Sequence, residues 1–201
     1  MDIHQAWKET CRTVLGGEVG ELTDYKNYLS RFVRLPLKRS SVISSAPVFV
    51  SQEKPLGPSA PVIANDESAA YSNRLSSARL DLNQIKDIDS IRQALDEVFC
   101  YSGSVVLGDS QEVHDSDSCV DSIHILDSQE VFEKSKFIAY SEHVRNCDHC
   151  FGISLTAESR FLITGPENFA SSRCFETLYC FESSGCAFCA NLIGCHDCLF
   201  T

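Results

Sequence analysis

The sequence predicts a mainly β protein: a β-solenoid of six-residue repeats, with helices and an extended arm on its N-terminal side. Three observations predict it. First, from Leu107 to Thr201 the chain can be written six residues at a time. It runs LGDSQE, VHDSDS, CVDSIH, ILDSQE, VFEKSK, FIAYSE and, after one extra residue at His143, VRNCDH, CFGISL, TAESRF, LITGPE, NFASSR, CFETLY, CFESSG, CAFCAN, LIGCHD, CLFT. Second, the first column, from Leu107 and Val113 through Cys186, Leu192 and Cys198, is polar only at Thr156 and Asn168. Third, the fourth column is mostly small: Ser110, Ser116, Ser122 and Ser128, then Cys147, Ser159, Gly165, Ser171, Thr177, Ser183, Cys189 and Cys195.

A period of six is wrong for one long helix, because at about 3.6 residues per turn positions six apart drift around the surface. Short extended segments with small residues at the corners coil instead, each turn stacking on the last. The tetrapeptide DSQE recurs at 109–112 and 127–130. That recurrence predicts a three-sided coil of eighteen residues, with Cys180 under Cys198, Phe181 under Leu199 and Asp109 under Asp127. A two-sided coil of twelve residues would instead stack Cys174 on Cys186 and Cys186 on Cys198.

The solenoid is expected over 101–201, and the preceding segments divide into three. Residues 1–35 read as N-terminal helices. Ile3, Trp7, Val14 and Leu15 recur at helical spacing, and Gly16-Gly17 ends that run. Leu22, Tyr25, Leu29, Phe32 and Val33 make a second stripe, to about Arg34. These helices either pack on one another and on the solenoid, or present Trp7 and Phe32 to a partner. Residues 36–75 hold five of the six prolines among serines and read as an arm or linker, with one short strand at 48–50. Within 76–100, Ile91, Leu95, Val98 and Phe99 predict a helix that caps the first coil, since a bare terminal coil exposes core and strand edges. No such helix follows the last hexad, so the expectation is that a partner covers that end, that an N-terminal segment folds back over it, or that the sequence is a fragment of a longer chain.

The chain has 28 acidic and 17 basic residues, a net charge of −11. Phosphate-rich partners need a basic surface, so neither nucleic acid nor an anionic membrane is expected. No apolar run reaches the length of a membrane span. The N-terminus lacks the basic-then-apolar pattern of a secretion signal, so a cytoplasmic location with reduced thiols is expected. Three CxxC pairs occur, Cys147/Cys150, Cys186/Cys189 and Cys195/Cys198. Cysteines from Cys147 onward all fall in column one or four, where Leu, Phe, Ser and Thr also stand. They are therefore expected to pack the core, with no cofactor. The alternative is a zinc site drawn from Cys186, Cys189, Cys195, Cys198 and His196. Of the six histidines, His149 and His196 lie near CxxC pairs and are the two that could join as mixed ligands; otherwise both are expected on outward polar positions of the prism. No catalytic residues are assigned.

The period resembles that of the hexapeptide-repeat acyltransferases, although their small residue stands fifth and here it stands fourth. That resemblance implies a trimeric enzyme with an interface histidine, which matches no histidine of this chain. The stretch SEHVRNCDHCFGISL through SSRCFETLYCFESSGCAFCANLIGCHDCLF resembles cysteine-rich hexad proteins of large tailed phages and of uncultured bacteria and archaea, some of them capsid or scaffold proteins. It implies a structural role in a large assembly, and a place in the virion if the chain is viral. The expected function is thus a non-enzymatic structural module, joined to protein partners or sister copies through the helices and arm.

Overall fold

The structure is a computed structural model. It describes residues 1–52, 54, 57, 59–77, 86–96, 98–168, 170, 172–173, 175–182 and 184–199, with the side chains of Asp96, Pro166 and Asn168 set aside. Helix α1 (Ile3–Leu15) forms where its spacing predicts it. Asp2 caps it, accepting the Gln5 backbone N–H at 2.8 Å while Gln5 reaches back to the Asp2 N–H at 3.1 Å. Gly16, at φ +80°, ends it in the left-handed conformation that glycine takes without strain. The second stripe is not one helix. It is a 3₁₀ turn at Leu22–Tyr25, a single α turn, α2 (Lys26–Leu29), and a 3₁₀ turn at Ser30–Phe32. Its basic side chains are drawn to acids on well-separated coils, Lys26 to Asp127 at 2.8 Å and Arg31 to Glu176 at 2.9 Å. The segment is thereby pinned along the stack rather than wound regularly.

Segment 36–75 carries more structure than an arm or linker. Strands β1 (Leu37–Ser40) and β2 (Pro47–Val50) form an antiparallel hairpin, so the strand expected at 48–50 has a partner. Strand β3 (Val62–Ala64) leads through a 3₁₀ turn into α3 (Ser68–Ser76). Helix α4 (Ile88–Asp96) lies in the predicted capping segment, of which 78–85 and 97 are outside the described residues. Its apolar stripe does not close the solenoid: Ile88, Ile91, Leu95 and Phe99 are all exposed. The chain next to the first coil is met instead by sheet. Strand β4 (Tyr101–Gly103) pairs in parallel with β3, and Val48, Val50, Val62, Ala64 and Tyr101 pack together. Phe49 and Ser104 exchange hydrogen bonds at 2.7 and 3.0 Å.

From Val106 the hexads coil as expected, but with two strands per coil rather than three. On one face lie β5 (Val106–Leu107), β7 (Asp117–Val120), β9 (Gln129–Phe132) and β11 (Glu142–Arg145). On the other lie β6 (Gln111–His114), β8 (Ile123–Leu126) and β10 (Lys136–Ala139). The long strands β12 (Asp148–Ala157) and β13 (Arg160–Asn168) turn the corner and serve both faces. All pairings are parallel and twelve or thirteen residues apart: Asp117 with Gln129, Gln129 with Glu142, Ile123 with Lys136, Asp148 with Arg160. Beyond β13 the twelve-residue step continues through Arg160, Ser172, Ser184 and His196. The eighteen-residue stacking is therefore overturned. Cys180 does not lie under Cys198, and Asp109 lies against Asp121, whose Oδ1 accepts its N–H at 2.9 Å. Twelve places Cys186 under Cys198, whereas Cys174, its expected neighbour below, lies outside the described residues, as do Phe169, Ser171, Ser183 and Phe200.

The interior explains the coil size. Every third residue faces inward, so columns one and four together line the core: Cys119, Ser122, Ile125, Ser128, Val131, Ser135, Ile138, Ser141 and Val144 are all buried. Four such residues, two of them small, fill the flat section of each twelve-residue coil, whose two sheets pack about 10 Å apart. Between inward positions the backbone turns left-handed, at Glu112, Asp115, Ser118, Asp121, His124, Asp127 and Glu130. Aspartate and histidine are among the residues that accept this conformation most readily. The corner serines hold successive coils together. Ser128 Oγ accepts the Ser141 N–H at 3.1 Å and donates to the Leu126 carbonyl at 2.8 Å, and Ser141 Oγ repeats this with Ile153 and Ala139 at 3.1 and 2.9 Å. The extra residue sits in the Glu133–Lys134 turn, not at His143. Ile138 rather than Phe137 is consequently inward, and a separate thirteen-residue step at the Gly108 turn (φ +65°) pairs Val106 rather than Leu107 with Cys119.

Both faces are clamped by the N-terminal half. Helix α1 lies across β8, β10, β12 and β13, burying Ala6, Trp7 and Cys11 against Ala139, Tyr140, Phe151 and Ile163. Trp7 is 1% exposed and meets Phe151 edge-on with centroids 5.2 Å apart, so it is a packing residue and offers no anchor to a partner. Gly152, at φ +77°, lets Leu29 approach: a Cβ there would stand 2.7 Å from the Leu29 carbonyl oxygen.

Candidate functional site

The chemistry-bearing residues concentrate inside the last coils. Cys180 faces inward from the β11 side, Cys186 faces it from the β10 side, and Cys189 occupies the following corner. Their sulfurs all lie within 4.8 Å of one another. The three residues are 0%, 3% and 4% exposed, in the same apolar cluster as Leu162 and Ile153, with Leu192 and Cys198 packed against it. Burial pushes the Cys189 thiol up to about 12, and the neighbouring sulfurs of Cys186 and Cys180 add to this. Cys195, raised by desolvation, by its contact with Cys198 and by the nearby Cys180 sulfur, stands at the next corner.

Of the residues expected to form a zinc site, the structure thus brings Cys186 and Cys189 together and adds Cys180. Cys198 stacks over Cys186 at the edge of the cluster. His196 stands outside: it is exposed and pairs with Ser184 on the outer surface. Eighteen-residue arithmetic assigned Cys180 to Cys198 and so missed its position opposite Cys186. The signal was present, since 180, 186 and 189 fall on columns one, one and four within one coil of twelve.

Cys147 and Cys150 form a second, smaller thiol contact in the middle of the stack. Desolvation drives Cys150 well up, and its hydrogen bond to the Cys147 sulfur lowers Cys147. Thr156 and Ser159 surround them, hydrogen-bonded to each other at 2.9 Å. The described cysteines are all thiols.

Two polar features lie outside the core. On the β7–β9–β11 face the side chains of Asp117, Gln129 and Glu142 are stacked and buried under the arm. Asp117 accepts from the Ser51 and Val105 backbones at 2.7 and 2.8 Å and from Lys54 Nζ at 2.7 Å. Gln129 accepts from the Gln52 N–H at 3.0 Å and donates to Glu142 at 3.1 Å, and Arg34 reaches Glu142 at 3.3 Å. Along a corner, a groove of about 560 Å³ is lined by Asp109, Asp121, Lys134, Lys136, Asp148 and Arg160, whose opposite charges offset one another. His149, expected on an outward polar position, is buried between the tilted rings of Phe137 and Phe161, with Nδ1 2.8 Å from Asp148.

Fold and site together define a two-sided parallel β-solenoid with clamped faces and a thiol-lined core. Comparison of the chain with family models, curated proteins and solved structures finds no match to any of them. No described helix is long and apolar enough to cross a membrane.

Proposed function

We propose that the protein is a structural module, a rigid solenoid block that joins a larger assembly rather than catalysing a reaction. The observation carrying this reading is the division of labour among its helices. Helix α1 spends its apolar face on the solenoid, while α4 holds Ile88, Ile91 and Leu95 in solvent at helical spacing, followed by Phe99. Ile88 is 82% exposed. An apolar stripe of this kind beside a filled core suits attachment. The occupant proposed is α4 of a second copy, because two identical stripes related by a twofold axis are self-complementary. With −11 on each copy, association is expected to strengthen as salt screens repulsion. Sedimentation over a concentration series at low and moderate salt tests this. Wild type should self-associate, and Leu95→Glu should be monomeric with an unchanged circular dichroism spectrum. A wild-type monomer throughout, or association untouched by Leu95→Glu, overturns the reading.

A further inference from the structure

We infer that Cys180, Cys186 and Cys189 form a binding site for one thiophilic d¹⁰ cation, Zn²⁺ or Cu⁺, which ties the two faces of the terminal coils together. The three sulfurs come from both faces and a corner and already lie within 4.8 Å of one another. Metal–sulfur bonds of about 2.3 Å place the sulfurs of a coordinated set roughly 4 Å apart, so closure needs only side-chain adjustment. The described members of the cluster are buried thiols and apolar side chains, with no carboxylate or imidazole among them, which selects soft cations over Mg²⁺ or Ca²⁺.

Packing alone does not account for three thiols at one level. The same three positions hold Cys119, Ile125 and Ser128 at the start of the stack, then Val131, Ile138 and Ser141, then Val144, Cys150 and Ile153. A branched aliphatic residue and a corner serine fill this cross-section well, and 180/186/189 is the level at which all three are cysteine. Cys198, stacked over Cys186 and half-buried, is placed to close a tetrahedron around Zn²⁺. Cu⁺ needs only the three. On binding, each coordinating sulfur releases its proton to solvent and forms one metal–sulfur bond, with no change of oxidation state. Because each ligand sheds a proton on binding, affinity should rise with pH.

The test titrates the metal-free full chain, kept reduced, with Zn²⁺ and separately with Cu⁺, reading native mass and thiolate-to-metal absorption. One ion per chain is expected. Cys189→Thr, which copies Thr177 one coil below, and Cys186→Val, which copies the column-one valines, should fold and lose the ion. Cys150→Ser should keep it. Cys198→Ser should weaken Zn²⁺ and leave Cu⁺ unchanged if the two ions use four and three sulfurs. Binding of either cation with this pattern supports the site. Failure of folded wild type to bind both, retention of the ion by folded Cys189→Thr and Cys186→Val, or its loss in Cys150→Ser overturns it.

Discussion

At the scale of single residues, the unusual feature is a set of polar side chains that sit on the outside of a solenoid and are nevertheless buried. Asp117 is 0% exposed and serves three donors, the Ser51 and Val105 N–H groups and Lys54 Nζ. A carboxylate suits this place because it accepts several hydrogen bonds at once and neutralises the incoming ammonium. Asp117→Ala would leave two backbone donors and a half-buried ammonium without their acceptor. The expected loss is about 2–4 kcal/mol, measured by urea denaturation, with the arm becoming protease-sensitive first. Nothing in DSDS or DSQE announces this role. Gln111 and Gln129 occupy the same repeat position, yet Gln111 is exposed and Gln129 buried, because the arm reaches one of them and not the other.

At the scale of elements, the segment from Leu22 to Phe32 is a tether. Its hydrophobic residues Leu22 and Leu29 are buried, and its polar residues grip distant coils. Glu176 accepts from the Tyr28 hydroxyl and from Arg31, and these bonds, the tyrosine's first, hold its carboxyl below the usual carboxylate range. A folded-state pKa lowered in this way stabilises the native state above the unfolded value. That stabilisation is lost as pH falls through the folded value. The tether should therefore loosen progressively below about pH 4.5, where a free glutamate is half protonated. Wild type should lose stability between about pH 5 and 3 more steeply than Glu176→Gln, which has already given up the charge. Parallel pH profiles for the two proteins would contradict this assignment.

At the scale of the whole molecule, the solenoid behaves as a stack in which each coil rests on its neighbours, so damage should spread along the axis only from where it is made. Leu192 is half-buried and packs on the thiol-rich core of the last coils. Leu192→Asp places a charge against thiol and apolar side chains and should cost about 2–4 kcal/mol of local stability. Amide hydrogen exchange should show protection lost over 180–199 and retained over β7 to β9, which α1 and the arm hold from both sides. Uniform loss along the chain would mean that the block unfolds as one unit.

The sequence by itself determined the six-residue period, the inward identity of columns one and four, the first helix with its Gly16 stop, and the concentration of cysteine in the core. Each rests on local steric and hydrophobic preference and so repeats in every hexad. How many hexads close a coil was decided only in three dimensions, by the parallel pairing and the corner hydrogen bonds that join residues twelve or thirteen apart. The same closure chose the thiol partners, setting Cys180 opposite Cys186 instead of beneath Cys198. The folding of the arm onto Asp117, Gln129 and Glu142 was likewise settled by tertiary contact, because hydrogen bonds between segments more than sixty residues apart leave no periodic trace in either segment.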